Sequence, residues 1–107
     1  MGAAGSRIGL ALSVMLAAAP ALGGEYVIEQ RDKAFHPVSI AIRPGDAIAF
    51  TNADPFVHNM FSATPGAEFN LGAQNPGERK AVVLRKPGTV DVECQIHPKM
   101  RLTVVVK

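Results

Sequence analysis

Residues 89–106 read TVDVECQIHPKMRLTVVV. Apolar and polar side chains alternate from Thr89 to Cys94, and a second, largely apolar run covers Leu102 to Val106. Runs of this length and period are typical of β-strands with a buried face. Only five residues separate Cys94 from Met100. We therefore predict two strands joined by a tight loop at one end of a β-sheet domain.

The rest of the chain repeats this pattern of short apolar runs between turns. We predict strands over residues 25–31, 38–42, 47–51, 57–61, 79–84, 89–94 and 102–106, with a further short strand around Phe69 and Leu71. Pro and Gly close runs at 43–46 and 86–88, because Pro fixes φ and Gly accepts positive φ. Seven or eight short strands without a helical stripe predict an all-β fold, a Greek-key sandwich of two antiparallel sheets.

The N-terminal residues have a different composition. Arg7 precedes an almost continuous apolar run over 8–19, and small residues follow that run. This order predicts a cleaved signal peptide over residues 1–23 and one domain over residues 24–107. The alternative is a retained membrane anchor, but a spanning helix needs about 20 apolar residues, and Pro20 ends this run early. We therefore predict an exported protein with no membrane span after processing.

The net charge of the predicted domain is small. The chain has 11 Lys and Arg and 9 Asp and Glu, and the loss of Arg7 with the signal peptide leaves a net charge of +1. A nucleic-acid-binding domain would carry a strongly basic face. The charge balance therefore excludes a nucleic acid as the partner, and the domain is long enough for one small core only.

Side chains that bind metals are concentrated in the tight loop. Cys94, His97 and Met100 follow one another at three-residue spacing, and His58 lies on a separate segment. One thiolate, two imidazoles and one thioether make the ligand set of a type 1 copper site. Zinc sites normally carry two or more Cys or a second close His pair. The donor set therefore favours copper over zinc.

Cys94 is the only cysteine in the sequence. An exported chain with one thiol has no internal disulfide, and coordination to a metal would hold the sulfur as a protected thiolate. The alternative is a buried, inert cysteine. Asn59 follows His58 directly, and we expect it to tie the histidine segment to the cysteine loop by hydrogen bonds. We expect Met60 in the core and His36 at the surface.

The chain resembles the plastocyanin/azurin family of cupredoxins over about the whole of residues 24–107. The resemblance rests on residues 52–59, on Cys94 to Arg101, on the valines of 104–106 and on the turns at 43–46 and 86–89. The loop spacing is similar to that of amicyanins, which also place Pro directly after the loop His. The resemblance implies that His58, Cys94 and His97 are equatorial copper ligands and Met100 the axial one. This sequence departs from the family at Gln95, where a small hydroxyl residue is common.

The resemblance also implies a function. It is that of a periplasmic electron carrier, not an enzyme, in which one copper ion cycles between Cu(II) and Cu(I) by outer-sphere transfer. Its partners would be redox proteins, such as a c-type cytochrome or a periplasmic dehydrogenase, and a carrier that docks and releases is expected to be a monomer. Lys99 and Arg101, beside the loop, would steer an acidic partner by electrostatics; the alternative is that these charges belong to an ordinary solvated surface.

Two alternatives use the same residues. A periplasmic copper storage or delivery protein would bind the metal without redox turnover, but such proteins often have Met-rich or His-rich sites, and residues 24–107 contain only Met60 and Met100 as methionines. A catalytic role with Cys94 as nucleophile and His97 as base lacks an evident acid to orient the histidine.

Overall fold

The computed structural model describes residues 23–107, so the predicted signal peptide lies outside the described residues except for Gly23. Within this range the chain forms nine strands: β1 (Glu25–Arg31), β2 (Ala34–His36), β3 (Ser39–Ile42), β4 (Asp46–Asn52), β5 (Met60–Ser62), β6 (Phe69–Asn70), β7 (Arg79–Leu84), β8 (Gly88–Cys94) and β9 (Arg101–Val106). None of the described residues belongs to a helix of the length and apolarity that crossing a bilayer requires.

The strands form two sheets, ordered β2-β1-β4-β7 and β3-β9-β8-β5-β6. The all-β sandwich predicted from the sequence is confirmed, but the prediction of purely antiparallel sheets is wrong. β1 pairs with β4 in parallel, and β3 pairs with β9 in parallel. Apolar alternation fixes which face of a strand is buried and carries no information on the direction of its neighbour, so the pattern could not reveal these pairs.

Two predicted features of the strands differ from the structure. The short strand β2 was not predicted, and it forms a hairpin with β1 across a turn at Asp32 and Lys33. The strand predicted over 57–61 begins only at Met60, and His58 instead forms an isolated bridge with Gln74. This segment follows a loop that contains Pro55, and proline lacks the N–H that a strand ladder needs.

The core lies between the two sheets and is made by alternate residues of each strand. Its fully buried members include Ile28, Ile48 and Phe50 from one sheet and Val92, Leu102 and Val104 from the other. Met60 is also fully buried, as predicted. Burying each large apolar side chain contributes about 1.5–3 kcal/mol. The two layers together form the rigid support on which the loops at the sandwich end are built.

Strand register brings three loops to the same end of the sandwich. β5 starts where β8 ends, because Met60 pairs with Cys94, and β9 starts beside them, because Glu93 pairs with Arg101. In the other sheet, Gln30 pairs with Asn52 near the ends of β1 and β4. The loop after β4, the loop after β8 and the turn after β1 therefore lie next to one another.

Candidate metal centre

Three of the four predicted ligands converge at this end of the sandwich. His58 Nδ1 lies 3.7 Å from Cys94 Sγ and 3.3 Å from His97 Nδ1, and His97 Nδ1 lies 4.0 Å from Cys94 Sγ. These three atoms form the one cluster of metal-binding side chains among residues 23–107. They come from two segments far apart in sequence: the stretch between β4 and β5, and the end of β8 with the loop that follows it.

The separations of these atoms match those around a trigonal metal ion. With metal–nitrogen bonds of about 2.0–2.1 Å, a metal–sulfur bond of about 2.3 Å and angles of about 120°, nitrogen and sulfur lie about 3.8 Å apart and two nitrogens about 3.5 Å apart. The observed separations of 3.7, 4.0 and 3.3 Å agree to within a few tenths of an ångström. The donor set of two imidazoles and one thiolate is the one that copper takes in trigonal sites.

His58 is held rigidly by contacts on both its backbone and its ring. Its backbone N–H donates to Gln74 O and its carbonyl accepts from Gln74 N–H, over 3.0 and 2.7 Å. The ring is fully buried, and its Nε2 lies 2.7 Å from Asp54 Oδ2. A carboxylate at Nε2 fixes the proton on that nitrogen and leaves the Nδ1 lone pair free for a metal. Sequence reasoning did not identify Asp54 as a functional residue.

Asp54 also accepts hydrogen bonds from two backbone N–H groups of the β1–β2 turn. Its Oδ1 accepts from Asp32 N–H over 2.6 Å, and its Oδ2 accepts from Lys33 N–H over 3.0 Å. Burial alone would raise the pKa of Asp54, but the bonds from His58 and from these two backbone groups outweigh burial and lower that pKa below its ordinary value. Asp54 is therefore ionised at neutral pH and joins the histidine ligand to the β1–β2 turn.

Cys94 is 1% exposed and lies at the last position of β8. The backbone N–H of Asn59 donates to its Sγ over 3.4 Å, and the carbonyl of Asn59 accepts from Gln95 N–H over 2.9 Å. The backbone of Asn59 thus joins the histidine segment to the cysteine loop. Its side chain donates instead to Asn70 Oδ1, in β6.

His97 and Met100 occupy the loop between β8 and β9. His97 is half-buried, and Phe56 packs against both histidine rings, with ring centres 5.4 Å from His58 and 5.2 Å from His97. Burial first, then the neighbouring charges of His58 and Lys33, lower the pKa of His97. Met100 is 1% exposed, and its N–H donates to His97 O over 2.9 Å, which closes the loop.

Two buried side-chain amides form a hydrogen-bonded network next to His58, which was not predicted from the sequence. Gln30 and Gln74 are both fully buried, and Gln30 Nε2 donates to Gln74 Oε1 over 2.6 Å. Gln74 Nε2 in turn donates to the carbonyls of Phe50 and Glu78, each over 2.8 Å. The sequence does contain a signal for this network. Gln30 lies two residues after the buried Ile28 in β1, so both side chains are on the same, buried face of the strand.

Comparison with known proteins agrees with this geometry. Residues 24–107 match the family described as copper binding proteins, plastocyanin/azurin family. The chain belongs to this family. It is also 30% identical over 96 residues to the methylamine utilization protein MauL of Methylorubrum extorquens, an alignment that covers 89% of this chain and 84% of MauL. The resemblance stated from the sequence is therefore confirmed.

Solved structures with the same fold include a reduced variant of amicyanin. It matches with a TM-score of 0.73 and 22% identity over 84% of this chain and 89% of that chain. The copper-containing nitrite reductase of Thermus scotoductus matches with a TM-score of 0.72 and 23% identity over 78% of this chain, although this chain spans only 22% of the reductase. At these identities the likeness establishes the cupredoxin fold.

Family membership settles the cofactor and the general class of protein. The plastocyanin/azurin family binds copper, so the prediction of copper as cofactor is confirmed. The family consists of electron carriers rather than enzymes, which also confirms the prediction that the chain is not an enzyme.

Proposed function

We propose that this protein is a type 1 copper protein that carries single electrons between redox proteins in the periplasm. The observation that supports this most directly is the convergence of His58 Nδ1, Cys94 Sγ and His97 Nδ1 at separations suited to a trigonal metal. When bound, copper supplies a one-electron couple between Cu(II) and Cu(I). The chain holds the donors on rigid strands and loops, so that both oxidation states meet nearly the same geometry.

The four proposed ligands have distinct roles. His58, Cys94 and His97 would hold the copper ion through two imidazoles and a thiolate, and Met100, directly before β9, would be the weaker fourth ligand. Four protein ligands leave no open position for a substrate, which favours electron transfer over catalysis. The half-buried His97 is the proposed path for the electron, because the ring of His58 and the sulfur of Cys94 are both buried in the sandwich.

The N-terminal sequence and the relatives support the proposed location and partners. A cleaved signal peptide over residues 1–23 would export the domain, and Gly24, the next residue, already donates its N–H to Asp46 Oδ1 within the fold. The relative MauL is named for methylamine utilization. We infer that the partners are a periplasmic dehydrogenase and a c-type cytochrome, and that the carrier is a monomer that binds each in turn.

Visible absorption of the domain, residues 24–107, after addition of Cu(II) tests this function. An intense thiolate-to-copper band that ascorbate bleaches is expected for the wild type. Cys94→Ser should abolish the band. His36→Asn is the matched control. His36 lies on β2, and its ring bonds only to the carbonyl of Arg31, so its variant should keep the band.

The same spectrum separates the proposal from copper storage or delivery. A protein that only stores or delivers copper should bind the ion without a stable thiolate band or a reversible one-electron couple. Copper binding without the band would therefore reject the electron carrier and make storage or delivery the leading account.

A further inference from the structure

An open depression of about 330 Å³ lies beside His97 at the surface of the metal centre. Two segments line it: Lys33 from the β1–β2 turn, and Ile96, His97, Pro98 and Lys99 from the loop between β8 and β9. Ile96 is 49% exposed and gives the depression an apolar side chain beside His97. The depression thus combines an apolar lining with two lysines.

Lys33 is placed at this site by its backbone. Asp32 and Lys33 both have left-handed φ, of 56° and 57°, as the central residues of a tight hairpin turn require. Their N–H groups donate to the buried carboxylate of Asp54. The same carboxylate holds His58, so the position of Lys33 is coupled to the metal site.

The side chain of Lys33 is positioned as well. Its ammonium group lies 5.5 Å from the centre of the Phe56 ring, within the range of a cation–π contact. Phe56 packs on His97. Glycine is the usual residue at the second position of such a turn, and a lysine with positive φ costs about 1–2 kcal/mol. The turn therefore places a cation next to His97 although its left-handed backbone conformation is unfavourable for lysine.

Some charged side chains near the depression form ion pairs with neighbours, and others do not. Within residues 23–107, the ion pairs involve Arg31, His58, Arg79 and Arg101, and neither Lys33 nor Lys99 takes part in one. Asp32, next to Lys33 in the sequence, pairs with Arg31, and Asp54, which accepts from the Lys33 N–H, pairs with His58. Arg101, expected from the sequence to steer a partner, pairs with Glu93 over 3.2 Å.

We propose that Lys33 and Lys99 form a cationic docking pair that binds an acidic surface on the protein that exchanges electrons through His97. The inference rests on the proposed electron-carrier function and names the chemistry of its partner. Carboxylates on the partner pair with the two ammonium groups, and the apolar lining between them lets the partner approach the histidine closely. The pairing supplies long-range attraction, which raises the association rate.

Electron transfer to two c-type cytochromes of opposite net charge tests the pair. The reduced copper protein is mixed with each cytochrome in a stopped-flow instrument at ionic strengths of about 10 and 500 mM, where the Debye length falls from about 30 Å to a few ångströms. Lys33→Asp combined with Lys99→Glu should slow transfer to the acidic cytochrome about tenfold or more at low salt. The difference should vanish at high salt, and the basic cytochrome should react faster with the variant.

Lys107→Glu is the matched control, because Lys107 follows the six residues of β9 and so lies about 20 Å from the loop. The rate of electron transfer from Lys107→Glu to the acidic cytochrome should stay within twofold of the wild-type rate. A second variant, Lys33→Gly with Lys99→Gln, removes the charges without reversing them and relieves the backbone at the turn. It should give an intermediate rate with the acidic cytochrome.

Each variant is first checked for the thiolate-to-copper band and its bleaching by ascorbate. Absence of the band in the wild type would reject the proposed function itself. An intact band with equal low-salt rates for the charge-reversed variant and Lys107→Glu would overturn the docking pair alone.

Discussion

The carboxylate of Asp54 and the imidazole of His58 form a buried hydrogen bond of 2.7 Å between Oδ2 and Nε2. This bond orients the ring so that Nδ1 faces Cys94 and His97. It also places a negative charge one ring away from the proposed copper ion. A carboxylate in this position makes the imidazole a stronger donor and favours the more positive oxidation state of the metal.

Asp54→Asn should therefore weaken Cu(II) binding by about 10–100-fold and raise the reduction potential. The amide keeps the size of the side chain and removes its charge. Competition titration with a chelator gives the affinity, and voltammetry gives the potential. Asp91→Asn, an exposed site on β8, controls for the change in net charge; an equal shift in both variants would show that the contact with His58 has no special effect.

Asp54 should also make the stability of the metal-free protein depend on pH. Hydrogen bonds from His58 and from the turn lower the pKa of Asp54 below 3.8, against the effect of burial. The folded state then binds this proton less readily than the unfolded chain. The stability that Asp54 contributes is present above about pH 4 and is lost as the pH falls through the lowered pKa.

Urea unfolding of the metal-free protein at about pH 5 and about pH 2.5 measures this contribution. The free energy of unfolding of the wild type should fall more steeply between the two values than that of Asp54→Asn, because the amide cannot titrate. Parallel falls in the two proteins would show that Asp54 is not the group responsible.

The sequence predicted the elements whose signal is local and missed those that depend on pairing across the sandwich. Alternation over Thr89 to Cys94 and the spacing of Cys94, His97 and Met100 are local, and His58 was predicted as the second imidazole that the donor set of a type 1 copper site requires. The roles of Asp54 and Gln74 depend on which strand ends meet. For Asp54 the contact with the β1–β2 turn follows from the parallel pairing of β1 with β4, and for Gln74 the contact with His58 follows from an isolated bridge. The alternation of side chains encodes neither.

The hairpin of β1 and β2 was missed for a different reason. Its turn residues, Asp32 and Lys33, are not the Asn-Gly or Asp-Gly pair that marks such a turn in a sequence. Only the bonds to Asp54, 21 and 22 residues away, explain why this turn forms.

The buried pair of Gln30 and Gln74 should be important for stability. Gln74→Ala would leave the carbonyls of Phe50 and Glu78 without the side-chain donor they now share. It would also leave Gln30 Nε2 with only its 3.2 Å bond to the carbonyl of Thr51. Each buried polar group left unpaired costs about 1–3 kcal/mol. We expect a loss of about 2–4 kcal/mol in the free energy of unfolding of the metal-free protein.

Urea denaturation measures this loss, and Gln95→Ala is the matched control because Gln95 is exposed on the loop. The control should change the free energy of unfolding by less than about 0.5 kcal/mol. Similar values for the two variants would mean that water replaces the lost amide at no cost. The bonds between Gln74 and His58 are made by the two backbones and remain in Gln74→Ala, so this variant should keep the thiolate-to-copper band.

At Asn59, the contact of the backbone with the metal centre can be separated by mutation from the contact of the side chain with β6. The sequence predicted that Asn59 ties the two ligand segments together, and in the structure its backbone N–H contacts Cys94 Sγ while its side chain bonds to Asn70. Asn59→Ala keeps the N–H and the carbonyl that accepts from Gln95. The variant should therefore retain the thiolate-to-copper band at nearly the same wavelength.

Loss of the Asn59 side chain should instead loosen the link to β6. The exposed bond to Asn70 contributes about 0.5–1.5 kcal/mol, so the free energy of unfolding should fall by about that amount. Asn70→Ala removes the same bond from the other side, together with the 2.8 Å bond that Gly72 N–H donates to Asn70 Oδ1, so its loss should be at least as large. A large shift of the band in Asn59→Ala, with none in Asn70→Ala, would contradict this account, because it would show that the side chain of Asn59 acts on the thiolate directly.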